Sequence, residues 1–109
     1  MKDDVERLKD IRDAIEKIET YAGRGRKAFE ADELLQVWAV HHLQIIGEAA
    51  SKLSEEFMLS HPDVPWSKMI GMRNVLVHDY AGIDLDIVWA AVEGDLPELK
   101  GRINSILGS

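Results

Sequence analysis

The chain has 109 residues, a formal net charge of −7, no cysteine, and a composition that is 46% hydrophobic but only 6% aromatic. This length fits one domain over residues 1–109, and the low aromatic content suits a helical rather than a β-sandwich core. The absence of cysteine excludes disulfides and thiolate metal sites. The acidic balance argues against broad affinity for nucleic acid, and the charged N-terminus without a long apolar run predicts a cytoplasmic protein with no membrane anchor.

The first half of the chain predicts two long helices joined by a loop. Apolar residues at spacings of three and four predict an amphipathic helix over residues 3–22. Residues 23–32 have two glycines and no periodicity, and predict a loop from which Asp32 starts the next helix. Residues 34 to about 57 are apolar on most of the helical wheel, which is typical of a central helix. One polar stripe on that helix is expected to face water or a cleft: His41, Gln44, Glu48 and Ser51.

The second half predicts three shorter helices separated by turn residues. A proline-containing turn must end the central helix, and a third helix is expected from Trp66 to about His78. Asp84 can cap the following helix, and Asp95 with Pro97 predicts the start of a last one. Together these elements predict an all-α antiparallel bundle of about five helices.

Arg73 is anomalous because it falls in the apolar face of the third predicted helix. An unpaired guanidinium among apolar side chains is costly, since the charge loses its water. One interpretation is a structural Arg paired with a carboxylate such as Glu48. The functional interpretation rests on His78 and Tyr80, which place a titrating group and a phenol near the same helix end.

Arg73 and His78 together have the chemistry needed to cleave RNA. Arg presents a planar set of donors to phosphate oxygens, and His can accept or donate a proton near neutral pH. Ribose supplies its own nucleophile, the 2′-hydroxyl, so the reaction requires no metal or other cofactor. The reaction needs both a base and an acid, whereas each chain offers one such His. We therefore predict a homodimer with its cleft on the two-fold axis.

The spacing Arg73-x4-His78-x-Tyr80 matches the Arg-x4-His-x-Tyr pattern of the HEPN superfamily. Three longer stretches resemble its HepT toxin branch: IIGEAASKLS at 45–54, PWSKMIGMRNVLVHDY at 65–80 and IDLDIVWAAVEGDLPELK at 83–100. The resemblance implies a dimeric all-helical HEPN fold. It also implies a metal-independent endoribonuclease toxin of a type VII toxin-antitoxin system, with tRNA as a candidate substrate.

The resemblance also implies roles for individual residues. Arg73 and His78 take the catalytic positions, and Asn74 matches an Asn that orders this pair or contacts substrate. Tyr80 matches the tyrosine to which the cognate antitoxin, the nucleotidyltransferase MntA, transfers AMP. Glu48 matches a position expected to orient the Arg or the His, with a purely structural role as the alternative. An AMP phosphate beside the motif Arg would block the site and neutralise its charge.

Two other functional interpretations stay open from the sequence. The same pocket could hold a nucleotide or RNA without cleaving it, or the chain could be a dimerisation module in which Arg73 is a buried ion pair. An RNA contact on so acidic a chain must be local, and a basic rim is one candidate: Arg24, Arg26 and Lys27.

No metal site is assigned from the sequence. His41 and His42 are adjacent on a helix and point about 100° apart, so they do not form a metal-binding pair. The three tryptophans are interpreted as core or interface aromatics rather than base-stacking platforms: Trp38, Trp66 and Trp89.

Overall fold

The computed structural model of the chain describes residues 3–71 and 84–108, and within these residues all regular secondary structure is helical. The helices are α1 (Asp4–Ala22), α2 (Arg26–Ala31), α3 (Glu33–Ser51), α4 (Glu55–Ser60), α5 (66–71), α6 (Leu85–Ala90) and α7 (Leu96–Leu107), with a π-helical turn (Ala91–Asp95) between the last two. The predicted all-α helical bundle is confirmed.

The core lies between α1, α3 and α7. The apolar stripe of α1 is fully buried, and the residues that form it recur at helical spacing: Leu8, Ile11, Ile15 and Ile18. α1 and α3 run antiparallel, because the Trp38 indole donates to the Lys17 carbonyl at one end while Asp4 bonds Ser54 beyond the other end. Ile103 of α7 is also fully buried, which closes the core on its third side.

Side-chain caps set most of the helix starts. Asp3 accepts from the Glu6 N–H, and Ser54 caps α4 by accepting from the Phe57 N–H. The predicted caps Asp32 and Asp84 are both confirmed, since each accepts from the backbone of the first helical turn that follows it. These caps satisfy N–H groups that the helix itself leaves without a partner.

The first half of the chain contains two helices more than its sequence pattern predicted. α2 lies inside the expected loop, where Phe29 is buried and Arg26 pairs with Glu30 one turn later. The expected helix to about residue 57 ends instead at Ser51, and α4 follows as a separate helix capped by Ser54. Burial of a single aromatic ring thus outweighs the low helix preference of a glycine-containing stretch.

The predicted cap role of Asp95 is wrong. Asp95 is itself helical and makes no capping bond, because α6 continues through the π-helical turn into α7 without a break. Pro97 has no N–H for the bond to the carbonyl four residues earlier, and its ring crowds that carbonyl. The wider turn, closed by the Leu96 N–H to the Ala91 carbonyl, accommodates the proline within one continuous helix.

The third predicted helix is described only in part. It begins at Trp66 as expected, while its extension to His78 and its end at Ala81-Gly82 lie outside the described residues. No helix in the described part of the chain is both long enough and apolar enough to cross a membrane.

Candidate functional site

Four of the predicted site residues lie in the stretch 72–83, outside the residues that the structure describes: Arg73, Asn74, His78 and Tyr80. Their roles therefore remain predictions. The structure describes the helices on either side of that stretch and the helix that carries Glu48. We call α5, residues 66–71, the first flank, and Asp84 with α6 the second flank.

The first flank is held by apolar packing. Trp66 is only 5% exposed, its indole N–H donates to the His61 carbonyl at 3.0 Å, and its ring lies 5.9 Å from that of Phe57. Met69 and Ile70 are half-buried against the core. At the periphery the Lys68 ammonium pairs with Asp95 of the π-helical turn at 3.1 Å. The helix that leads into the motif is thus fixed by a buried ring with a satisfied N–H group.

The second flank begins with charged residues at the surface. The Asp84 carboxylate accepts from the Asp86 N–H at 3.0 Å and from the Ile87 N–H at 3.4 Å. Arg26 of α2 pairs with Asp86 and, at 2.7 Å, with Glu30. Below these charges the Trp89 ring is buried 5.3 Å from that of Phe29, so α2 and α6 also share an apolar contact.

The three residues of the predicted basic rim make different contacts in the structure. Arg26 lies between two carboxylates, and its hydrogen bond with Glu30 raises the pKa of the guanidinium above its ordinary value. Its charge is therefore matched locally, and it ties α2 to the second flank. Arg24 instead places its guanidinium over the Tyr21 ring, 5.5 Å from the centroid, and Lys27 is exposed.

The predicted polar stripe of α3 faces a cleft. His41, Gln44 and Glu48 line a groove of about 570 Å³ between α1 and α3. From α1 the groove receives four charged side chains: Arg7, Asp10, Asp13 and Lys17. The Ser51 hydroxyl bonds the Glu48 carbonyl at 2.7 Å and does not line it. The groove is within the volume range of small-ligand sites, and its charge is mixed.

Glu48 lies in this groove with its carboxylate 3.1 Å from the Lys52 ammonium, one turn later on α3. The expectation that Glu48 orients Arg73 or His78 concerns residues outside the described ranges and stays a prediction. Arg7, across the groove, has its Nε atom shut off from solvent with no hydrogen-bond partner among the described residues.

His42 is the one buried polar residue in the described core and borders the same groove. Its Nδ1 lies 2.8 Å from the Trp38 carbonyl, and because a carbonyl only accepts, Nδ1 carries the proton. Burial lowers the pKa of His42, and the nearby His41 and Lys17 lower it further. The hydrogen bond with the Trp38 carbonyl acts in the opposite direction. The ring is therefore held in its neutral form near pH 7.

Two features of α3 were not predicted from the sequence. The helix is central only in its second half, since Leu34 is 79% and Val37 58% exposed near its start. Trp66 and Trp89 lie in the core, one of the two places predicted for the tryptophans, whereas Trp38 is 36% exposed. A helical wheel that is apolar all round does not predict this difference, because the packing of other helices decides which turns are covered.

Within residues 3–71 and 84–108, no group of three or more His, Cys, Asp or Glu side chains is arranged to hold a metal ion.

Comparison with known proteins identifies the family. The family model for HepT-like ribonucleases matches residues 11–106, a range that contains the motif. A protein of Thermococcus cleftensis named "Probable ribonuclease HepT" is 37% identical over 100 residues, covering 91% of each chain. A "Putative RNase" of Caldanaerobacter subterraneus is 38% identical over 90 residues, covering 83% of this chain and 80% of its own.

A further "Putative RNase", from Methanocaldococcus jannaschii, is 35% identical over 78 residues and 72% of each chain. No solved structure matches the chain at a significant level. The resemblance drawn from the motif and its surrounding stretches is confirmed at the level of the family. The chain belongs to the HepT-like ribonuclease family, and it is a ribonuclease.

Proposed function

We propose that this ribonuclease is a metal-independent endoribonuclease toxin whose catalytic residues are Arg73 and His78. The observation that carries the proposal is the spacing Arg73-x4-His78-x-Tyr80 inside the family match over residues 11–106. The whole chain, residues 1–109, acts as one HepT-like domain, and it works as a homodimer with its cleft on the two-fold axis.

The proposed reaction is an internal transesterification of RNA. A neutral His78 removes the proton from a ribose 2′-hydroxyl, whose oxygen forms a bond to the adjacent phosphorus as the bond to the 5′-oxygen breaks. A protonated His78 of the second subunit gives its proton to the leaving oxygen. Arg73 stabilises the charge that accumulates on the phosphoryl oxygens. The products are a 2′,3′-cyclic phosphate and a 5′-hydroxyl, and no metal takes part.

Two further residues position the catalytic pair. Asn74 follows the Arg directly and supplies a neutral amide that orders the pair or contacts the substrate. Glu48 supplies a carboxylate for Arg73 or His78, which is supported by its place on the polar face of α3 in a groove that is open to ligands. The bond between Glu48 and Lys52 spans one helical turn at a half-exposed position and is weak enough to be exchanged.

The proposed regulator is an MntA-like nucleotidyltransferase antitoxin. It would transfer AMP from ATP to the Tyr80 hydroxyl, forming a phosphodiester and releasing pyrophosphate. A bulky anion two residues from His78 would occupy the place of the RNA backbone and pair with Arg73. Inhibition would therefore combine occlusion with loss of positive charge.

Cleavage in EDTA tests the catalytic assignment. Unmodified wild-type protein, checked by mass spectrometry for a free Tyr80, should cut a tRNA mixture and leave cyclic or 3′-phosphate ends. His78→Ala and Arg73→Ala should lower the rate at least about 100-fold. His61→Ala, a histidine outside the motif, is the matched control and should cut like wild type.

The same assay separates the alternatives. RNA retention equal to wild type, with no cleavage by any form, would indicate a nucleotide- or RNA-binding module. Wild-type protein that neither binds nor cuts RNA would instead indicate a dimerisation module. Loss of cleavage on addition of EDTA would contradict the metal-independent mechanism.

The shared cleft is tested with mixed dimers. A dimer purified with one wild-type and one His78→Ala subunit should lose nearly all activity if both imidazoles act in one cleft. Retention of half the wild-type activity would place a complete site within each subunit, and a monomer by sedimentation would remove the shared cleft altogether.

A further inference from the structure

We infer that a run of four rings at one end of the α1–α3 pair forms a stacking site for single-stranded RNA. The ring run comprises Tyr21, Trp38, His42 and His41. The Tyr21 and Trp38 centroids are 5.5 Å apart, those of Trp38 and His42 4.3 Å, and those of His42 and His41 5.0 Å. The inference rests on the proposed function for the position of the cleavage site, but not for the binding itself.

Three of the four rings reach the surface, namely Tyr21, Trp38 and His41, whereas the His42 ring is buried between them and the core. Tyr21 and Trp38 are 37% and 36% exposed, whereas the other two tryptophans are 5% and 7% exposed in the core. The Trp38 indole donates to the Lys17 carbonyl at 2.8 Å, and the Trp38 carbonyl accepts from His42. A ring fixed by its own hydrogen bond loses little conformational freedom on binding, which favours stacking of a ligand on the exposed part of the ring.

Cationic groups lie beside the ring run. The Arg24 guanidinium covers the Tyr21 ring, and Lys17 lines the groove that begins at His41 and His42. Farther along α1, Arg7 also lines the groove. The Nε of Arg7 is shut off from solvent and has no hydrogen-bond partner among the described residues. Aromatic rings next to cationic side chains suit single-stranded nucleic acid, which offers bases for stacking and spaced phosphates for pairing.

The acidic residues of the groove limit the ligand to a single strand. Asp10, Asp13 and Glu48 also line it, and the chain carries a net charge of −7. A duplex, with its dense phosphates, would be repelled by these carboxylates. A single strand can turn its bases to the rings and keep its phosphates at the margin near Arg24 and Lys17. Stacking rather than charge then supplies most of the affinity.

The direction of α3 connects the ring run with the proposed cleavage site. Trp38 and Glu48 are ten residues apart on one helix, a distance of about 15 Å along its axis. The groove is lined by His41, Gln44 and Glu48 and begins one turn beyond Trp38, which does not line it itself. The ring run is thus a subsite for nucleotides that flank the cleaved bond, and it would raise the affinity for RNA longer than a dinucleotide.

Binding of hexauridylate to the His78→Ala protein, measured by calorimetry at low salt, tests the inference without cleavage. Trp38→Leu in that background should weaken binding about tenfold, while Trp38→Phe, which keeps an aromatic face, should stay within about threefold. Leu59→Ala is the control, since Leu59 is 72% exposed on another helix. Lys17→Gln and Arg24→Gln should each reduce the slope of the logarithm of the binding constant against the logarithm of the salt concentration by about 0.7.

The outcomes are distinguishable from those of the proposed function. Cleavage by His78→Ala would refute the catalytic assignment and leave the binding result intact. Equal hexauridylate binding by Trp38→Leu and Trp38→Phe would overturn the stacking site. If that equality came with a change in sedimentation, the ring run would be a contact between subunits. Should Trp38→Leu fail to fold, Tyr21→Leu against Tyr21→Phe gives the same comparison.

Discussion

The two flanks of the motif stretch are held in place by different forces. Near residue 71 the first flank is fixed by Trp66 and half-buried apolar neighbours, whereas at Asp84 the second flank starts with exposed carboxylates and an Arg from α2. Apolar packing contains no charges that salt can screen, while an exposed ion pair is weakened by screening. The two ends of the proposed catalytic stretch should therefore respond differently to mutation and to ionic strength.

The largest effect is expected at the first flank. Trp66→Ala removes a ring that is 5% exposed and should cost about 3–5 kcal/mol of unfolding free energy, enough to lower Tm by more than about 10 °C. Urea unfolding followed by circular dichroism measures it. Trp66→Phe keeps most of the packing and loses the bond to the His61 carbonyl, so its cost should be clearly smaller. Equal losses for both variants would mean that the hydrogen bond, not the packing, holds this flank.

A pH effect should arise in the helix pair away from both flanks. Burial lowers the pKa of His42 below its ordinary value of 6.5, so below that pH the unfolded chain binds more protons than the folded one. Stability is therefore fully present above about pH 6.5 and is lost as the pH falls through the folded-state pKa. Urea unfolding at about pH 7.5 and about pH 5.5 should show this loss in wild type and a smaller one in His42→Gln. If His42→Gln loses as much stability as wild type between these two pH values, the loss comes from other groups.

At the second flank the expected effect is on activity and depends on salt. Arg26→Gln removes the pairing with Asp86 and should lower the cleavage rate about threefold at about 0.05 M salt, because the start of α6 is held less firmly. At about 0.5 M salt the two proteins should converge, since the ion pair is screened in wild type as well. Asp86→Asn should behave in the same way. A rate difference that persists at high salt would contradict an ionic role.

The smallest effect is expected for the ion pair between Lys68 and Asp95. Their side chains are 60% and 45% exposed, so Lys68→Gln should change the unfolding free energy by less than about 0.5 kcal/mol. A larger loss, measured by the same urea experiment, would show that the first flank also depends on charge. Asp95→Asn is the matched variant from the other side of the pair.

Local sequence signals predicted the first flank better than the second. The start of α5 at Trp66 and the burial of that ring follow from turn residues and helical spacing, which act within a few residues. In the second flank only the cap at Asp84 followed from such a local signal. The contact between Arg26 and Asp86 joins positions 60 residues apart, and α2 itself forms because Phe29 packs on Trp89. Such contacts depend on tertiary packing, which the spacing of apolar residues along one helix does not predict.

In the candidate site, too, local sequence signals predicted some features, while those that depend on tertiary packing were not predicted. The polar face of α3 was predicted from spacing alone, while the choice between water and a cleft was left open, because the groove depends on how α1 packs beside α3. Exposure of Trp38 depends likewise on where the neighbouring helices end. The motif residues were recognised by their chemistry and spacing, which require no knowledge of the packing.

The π-helical turn determines how the chain tolerates changes in length. The turn closes from the Leu96 N–H to the Ala91 carbonyl, five residues earlier instead of the four of an α-helix, while Val88, Val92 and Leu96 all stay buried. One surplus residue is thus stored inside a helix rather than in a loop. A homologue with a single deletion between positions 91 and 95, and with no proline at position 97, should run as an uninterrupted α-helix and still present the same side chains to the core.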